Sequence, residues 1–265
     1  MRLSIQSFSL QKAGNKPEEY EDAFWPARQG TFEGNSFHFA LADGATESSF
    51  SGLWAQMLVY SYGLSPLTPR NLQQRVEKRG QRWAQRVMAK PLPWFALEKV
   101  QRGAFATVLG LSLRNHQDPS SPGGCWTALA IGDTCLFQLR ASELVARFPL
   151  TTAGQFGNTP LLLSTHAPSN RDIWARLADF EQEGLWQPGD TFLLMTDALA
   201  HWFLNEVEAG EKPWLALFNL AEQSKSTPNS FARWLDALRT SKAIRNDDVT
   251  LLIIRMELNE ISTPD

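Results

Sequence analysis

The apolar positions of this chain follow two periods. "RLSIQSFSL" (2–10) alternates every second residue and predicts a strand, and "SFHFALAD" (36–43) predicts another. In "SSFSGLWAQMLVYSYG" the period lengthens: Leu53, Trp54, Met57, Leu58 and Ser61 share one helical face, with Ser48 or Ser49 as the N-cap. "TPRNLQQRVEKRGQRWAQRVMAK" predicts a second helix, with Leu72, Val76, Trp83 and Val87 as an apolar stripe opposite many arginines. "FATVLGLSL" and "TFLLMTDAL" read as strands, and "CWTALAIGDTCLFQLR" reads as a hairpin turning at Gly132-Asp133. Helices follow around Trp214–Gln223 and Ser230–Arg239, and "DVTLLIIRM" is the last strand. Antiparallel strands mixed with separate helix pairs predict an α+β sandwich rather than a doubly wound sheet.

The 265 residues suffice for a full core, and no repeat or linker divides them. One domain over 1–258 is expected, followed by a polar tail, 259–265. Hydrophobic residues at 43% and charged residues at 20% are those of an ordinary globular chain. A net charge of -3 argues against an obligate nucleic-acid binder. No apolar run approaches the ~20 residues of a membrane span, and the start reads as a strand rather than a signal peptide. The cytoplasm is the expected compartment. The predicted hairpin sets Ala130 opposite Cys135 and Cys125 opposite Arg140, so the cysteines are expected as two reduced, buried thiols.

Carboxylates recur at predicted strand ends. Glu21-Asp22 follows the first strand region, Asp43 and Asp197 end apolar runs, Asp133 sits in a turn, and Asp247-Asp248 precedes the last strand. Each alone has an ordinary explanation: an Asp-Gly turn, a solvated acidic pair, a capping pair. Brought together by a sandwich, they would form an all-oxygen nest for a hard divalent cation. His38, His116, His166 and His201 show no paired spacing, which argues against zinc.

The order of "EDAF", "LADGAT", "GAFATVLGLSL", "AIGDTCLFQLR", "QPGDTFLLMTDAL" and "NDDVTLLIIR" resembles the successive motifs of the protein phosphatase 2C family, the metal-dependent Ser/Thr protein phosphatases. The resemblance, to a divergent, bacterial-type member, runs from Glu21 to Arg255. It implies a four-layer αββα sandwich of two antiparallel sheets flanked by helices. It implies that Asp43 bridges two Mn²⁺ or Mg²⁺ ions, joined by the Gly44 carbonyl, with Asp197 and Asp247 at the first ion. Glu21 and Asp22 match the acidic pair at the second ion and its water shell, and Asp133 matches a third, weaker site. The implied reaction is hydrolysis of phosphoserine or phosphothreonine in a protein by a water shared between the two ions. The implied partners are the phosphorylated protein and an opposing Ser/Thr kinase.

The chain departs from that pattern at three places. Pro17 stands where the family carries a phosphate-gripping Arg, leaving Lys16 and Lys12 as the candidates for phosphate binding. Ala198 replaces the glycine of the late Ser-Asp-Gly, and the segment from Thr165 to Trp186 leaves little room for a helical flap. The alternative is therefore a pseudophosphatase, a binding module without turnover. A further alternative rests on the basic helix from Arg70 to Lys90, where Arg75, Lys78, Arg79, Arg82 and Arg86 oppose Glu77. A solvated face, a docking face for an acidic partner and an anionic-surface module are its three readings.

Overall fold

A computed structural model describes residues 1–89, 91, 94–118, 122–157 and 159–258. The predicted polar tail, 259–265, and Lys90 lie outside the described residues. The strands run in chain order β1 (Arg2–Leu10), β2 (Ala23–Trp25), β3 (Gly30–Glu33), β4 (Ser36–Ala42), β5 (Phe105–Ala106), β6 (Val108–Asn115) and β7 (Gly124–Ile131). They continue as β8 (Cys135–Arg140), β9 (Glu143–Phe148), β10 (Leu163–Ser164), β11 (Glu181–Trp186), β12 (Thr191–Met195) and β13 (Val249–Met256). The helices are α1 (Ser51–Leu64), α2 (Leu72–Met88), α3 (Trp94–Arg102), α4 (Arg171–Trp174), α5 (Asp197–Glu208), α6 (Pro213–Gln223) and α7 (Ser230–Thr240).

Two antiparallel sheets carry the core. One has the order β3-β1-β13-β12-β8-β9 and the other β11-β7-β6-β4-β2, with β10-β5 as a small third pair. Their facing surfaces enclose Leu3, Ile5, Phe39, Leu41, Leu111, Leu136, Phe192 and Leu252. The outer face of the six-stranded sheet packs Phe137, Leu193 and Leu251 against Phe203, Leu217 and Leu235 of α5, α6 and α7. On the other side Ala40, Leu129 and Ile131 meet Trp54, Leu58 and Trp83 of α1 and α2. A sheet covered on both faces needs strands apolar at nearly every position, and β12 and β13 are buried almost throughout. The result is the four-layer αββα sandwich. No described helix is long and apolar enough to cross a membrane.

Three expectations need correction. β7 and β8 form no hairpin: β7 pairs with β6 and β11, while β8 pairs with β12 and β9 in the other sheet. The chain crosses between sheets at Gly132, whose φ of +108° suits glycine. The same alternation of side chains serves a hairpin and a crossover, because periodicity does not name the partner strand. The cysteines are free, as expected, but Cys125 is exposed and only Cys135 is buried. The N-cap of α1 is also displaced, to Phe50 in a left-handed conformation (φ 61°). Ser48 instead donates to the Ala45 carbonyl and accepts from the Phe105 amide, bracing the loop after β4.

Candidate active site

Strand register brings the acids to one edge of the sandwich. In the five-stranded sheet Ala23 faces Ala42, so Asp22, before β2, and Asp43, after β4, share an end. Leu41 faces Leu109 and Val108 faces Ile131, which adds the end of β7 and Asp133 beyond it. In the six-stranded sheet Met195 faces both Cys135 and Leu251, so Asp133, Asp197 and Asp247 leave from that same edge. Asp43, Gly44, Asp133, Asp197 and Asp247 line one cleft of about 780 Å³.

Local contacts fix each member. The Asp43 amide donates to Thr107 Oγ1 (2.9 Å), the Thr107 amide returns to the Asp43 carbonyl (2.8 Å), and Thr107 meets Thr134 (2.6 Å). Two threonines thus tie Asp43 to the residue after Asp133. Gly44 is required by close approach, since a Cβ there would lie 2.9 Å from the Glu21 carbonyl oxygen and from a backbone carbon of Ser51. Asp197 heads α5, where a carboxylate complements the helix N-terminus, and its Oδ1 accepts from the Ala198 amide (2.5 Å). Ala198 lies in the first turn of that helix and is buried, so its methyl group sits on ordinary helical backbone.

The acidic pair divides. Asp22 is buried beneath the edge, where Thr250 Oγ1 donates to its Oδ2 (2.7 Å) and Tyr20 donates in turn to Thr250. Among the described residues Asp22 Oδ1 has no hydrogen-bond partner. Glu21 borders a neighbouring cleft instead, where Ser51 donates to its carboxylate and Thr46 lies beside it. Asp248 is a brace: its two oxygens accept from the Lys12 and Glu21 amides, both at 2.7 Å. Lys12 and Lys16 do not border the acid cleft; its cations are Lys99, Arg102 and Arg245.

The electrostatics follow from this crowding. Burial pushes Asp22 up to about 7, with Asp248 and Asp247 adding to the rise and the Thr250 hydrogen bond opposing it. Burial likewise holds Asp43 well above the usual carboxylate range, reinforced by Asp22, Asp133 and Asp247. Asp133 is raised by burial and partly relieved by its own backbone amide and by Arg245. Arg245 is the member that the sequence did not disclose. Its Nη2 pairs with Asp197, and its Nε lies 3.5 Å from Asp247. A lone arginine in "AIRNDD" carries no periodic or motif signal, so only the fold shows where it points. Thr107, Thr134, Thr196 and Thr250 were also silent, because a buried hydroxyl matters only through its partner.

The donors suit a hard divalent cation in chemistry: all are oxygens, the neighbouring charges raise the pKa of Asp43, and one buried carboxylate oxygen is orphaned. Among the described residues no three of these groups stand close enough to hold an ion as they are placed here. Arg245 engages Asp197 and Asp247 in the same cleft.

No family model and no curated protein matches the sequence. Solved structures do. The chain is similar to the Mycobacterium tuberculosis serine/threonine phosphatase PstP/Ppp, with 17% identity over 97% of this chain and 100% of that one and a TM-score of 0.60. It is similar to a phosphatase from Toxoplasma gondii, with 12% identity over 100% and 98% of the two chains and a TM-score of 0.57. A structure of the PstP catalytic domain in complex with two manganese ions matches at 16% identity over 97% and 100%, with a TM-score of 0.52. At such identities the likeness is one of architecture, and the chain has the protein phosphatase 2C fold.

Proposed function

We propose that this chain is a metal-dependent phosphatase acting on phosphoserine or phosphothreonine in proteins. The observation that carries the reading is the convergence of Asp43, Asp133, Asp197 and Asp247, from both sheets, on one cleft. The serine/threonine phosphatases that share the fold support it, as does the neighbour complexed with two manganese ions. Asp43, Asp133, Asp197 and Asp247, with the Gly44 carbonyl, would hold Mn²⁺ or Mg²⁺, as two ions and a third, weaker one. Bound there, such ions lower the pKa of water and neutralise charge on phosphoryl oxygens.

The chain's own residues prepare that chemistry. The Thr107–Thr134 contact holds the Asp43 and Asp133 backbones, so re-aiming the carboxylates involves side chains rather than strands. Asp22 presses electrostatically on Asp43 and sharpens the need for a cation at the edge. Among the described residues no cysteine or histidine lines the cleft, which favours direct hydrolysis over a covalent phosphoenzyme. Burial raises the thiol pKa of Cys135, which further removes it as a nucleophile.

A second reading, a binding module without turnover, draws on the Arg245 ion pairs, which already neutralise two of the acids. One experiment separates the two: hydrolysis of a chromogenic phosphomonoester and of a phosphoserine peptide, with Mn²⁺ and with chelator. Turnover that requires Mn²⁺ is the expected result. Mn²⁺ binding without turnover of either substrate would establish the binding module instead.

A further inference from the structure

We infer that Arg245, with Lys99 and Arg102 of α3, supplies the phosphate grip that the loop around Pro17 lacks. The inference rests on the phosphatase reading and adds to it the residues that recognise the phosphoryl group. Its basis is placement. The N-terminal loop is stitched down through its backbone: the Lys12 amide donates to Asp248, and Ala13 exchanges two hydrogen bonds with Asn246 (2.8 and 3.2 Å). Neither Lys12 nor Lys16 borders the acid cleft, and Lys16 is exposed.

The cleft nevertheless carries positive charge. Four carboxylates, Asp43, Asp133, Asp197 and Asp247, are faced by Arg245, Lys99 and Arg102. Arg245 stands on the segment that delivers Asp247, and Arg239 braces that segment by donating to the Asp247 carbonyl (2.8 Å) and the Gln11 carbonyl (3.1 Å). A guanidinium has five N–H donors, and the contacts to Asp197 and Asp247 employ two of its three nitrogens. Half of the Arg245 side chain stays open, at 52% exposure. It can therefore offer a fork to phosphoryl oxygens from beside the acids.

Lys99 and Arg102 end α3, Gly103 (φ +85°) turns the chain from there toward β5, and both cations line the cleft. Among the described residues Arg102 forms an ion pair with Glu98 alone, exposed at 2.7 Å, and Lys99 forms none. Cations in a last helical turn also complement the helix dipole, and that role needs no cleft. Their place on the lining of the same cleft as Arg245 is what the dipole does not explain. A phosphomonoester dianion entering the cleft would meet the Arg245 fork beside the acids and two further positive charges at the mouth.

The test uses the full chain with Mn²⁺ present, titrated calorimetrically with inorganic phosphate and assayed with a chromogenic phosphomonoester. Arg245→Ala should weaken phosphate binding about 10- to 150-fold and raise KM by a similar factor, with kcat changed less. Arg245→Lys should recover only part of this, because an ammonium cannot copy the fork. Lys99→Ala with Arg102→Ala should weaken phosphate about 2- to 5-fold, in line with exposed charges. A melting curve that still rises with Mn²⁺ certifies the fold of each variant, and Arg245→Lys carries the test if Arg245→Ala does not fold. Folded Arg245 variants that bind phosphate as the wild type does would overturn the inference, as would Lys16→Ala taking the loss instead. A wild type that takes up Mn²⁺ but neither binds phosphate nor hydrolyses the ester would refute the phosphatase reading and the grip together.

Discussion

The two ends of β12 each carry a buried aspartate, and they are treated in opposite ways. Asp190, before the strand, accepts from Arg140 Nε (2.9 Å), Arg140 Nη2 (2.8 Å), Gln138 Nε2 (2.8 Å) and the Gln187 amide (2.9 Å). Asp197, after the strand, shares its edge with Asp43, Asp133, Asp247 and the half-satisfied Asp22, and among the described residues its one ion pair is with Arg245. A carboxylate kept for structure collects donors until its charge is matched. At the other end the buried Asp43, Asp133 and Asp22 are raised in pKa by burial and by neighbouring carboxylates, the pattern of a site rather than of a brace. The far end of β12 is thus braced for stability, and on the proposed reading the near end is kept for binding.

The sharpest way to break this contrast is Asp43→Asn. On the two-ion reading, turnover should fall by on the order of 10³-fold or more, the scale of losing one well-placed charge-stabilising group. The rise in Tm that Mn²⁺ gives the wild type by mass action should vanish with it. Wild-type turnover at saturating Mn²⁺ would sink the assignment of Asp43.

Asp190→Ala should do the reverse. It strands Arg140 and Gln138, so stability should drop by about 3 kcal/mol, the low end for a broken buried pair because Arg140 is a third exposed. For a chain of this size that is roughly 6–12 °C in Tm. Activity per folded molecule should hold below the new Tm, and a kinetic loss matching that of Asp43→Asn would erase the distinction between the two ends.

Gly44→Ala tests the packing behind the cleft. Its Cβ would press on the Glu21 carbonyl and on backbone at Ser51, which cannot yield as a side-chain tip would. A loss of about 1–3 kcal/mol is expected, read from denaturant unfolding. An unchanged midpoint would mean that the edge is looser than its contacts indicate.

The last test concerns pH. Asp22 holds its proton to about 7 in the folded chain and near 3.8 when unfolded. Its contribution is therefore full below 3.8 and is lost as pH rises toward 7, because the folded state binds more protons across that window. Without metal, Asp22→Asn should have a flatter Tm profile than the wild type between about pH 4 and 7. Parallel profiles would show that Asp22 ionises as freely as in the unfolded chain.

The basic helix gives a second case of position deciding role. Arg75 is one of a run of cations in the sequence, yet it caps α1, donating to the Ser61 carbonyl (2.5 Å) and the Ser65 carbonyl (2.5 Å). Lys78, Arg82 and Arg86 remain on the exposed side while Leu72, Val76, Trp83 and Val87 are buried as the stripe predicted. A solvated amphipathic helix accounts for the run.

What the sequence determined by itself was local. Alternation in β1 and helical spacing in α1, α2, α6 and α7 record which side of each element faces water, and the continuous apolar run of β13 records burial on both faces. The recurrence of aspartates at strand ends was legible for the same reason, since an apolar run that stops at a carboxylate marks where core meets solvent. Only the tertiary structure decided which strands pair, so the crossover at Gly132 replaced the expected hairpin and left Cys125 exposed. α5 was hidden behind β12, because a continuous apolar run does not show where strand gives way to helix. Arg245 reaching Asp197, the threonines linking Asp43 to Asp133, and Glu21 turning to Ser51 depend on residues 27 to 64 positions apart. Wherever the charge of one residue is set by the burial and partners of another, no reading of neighbours along the chain can supply it.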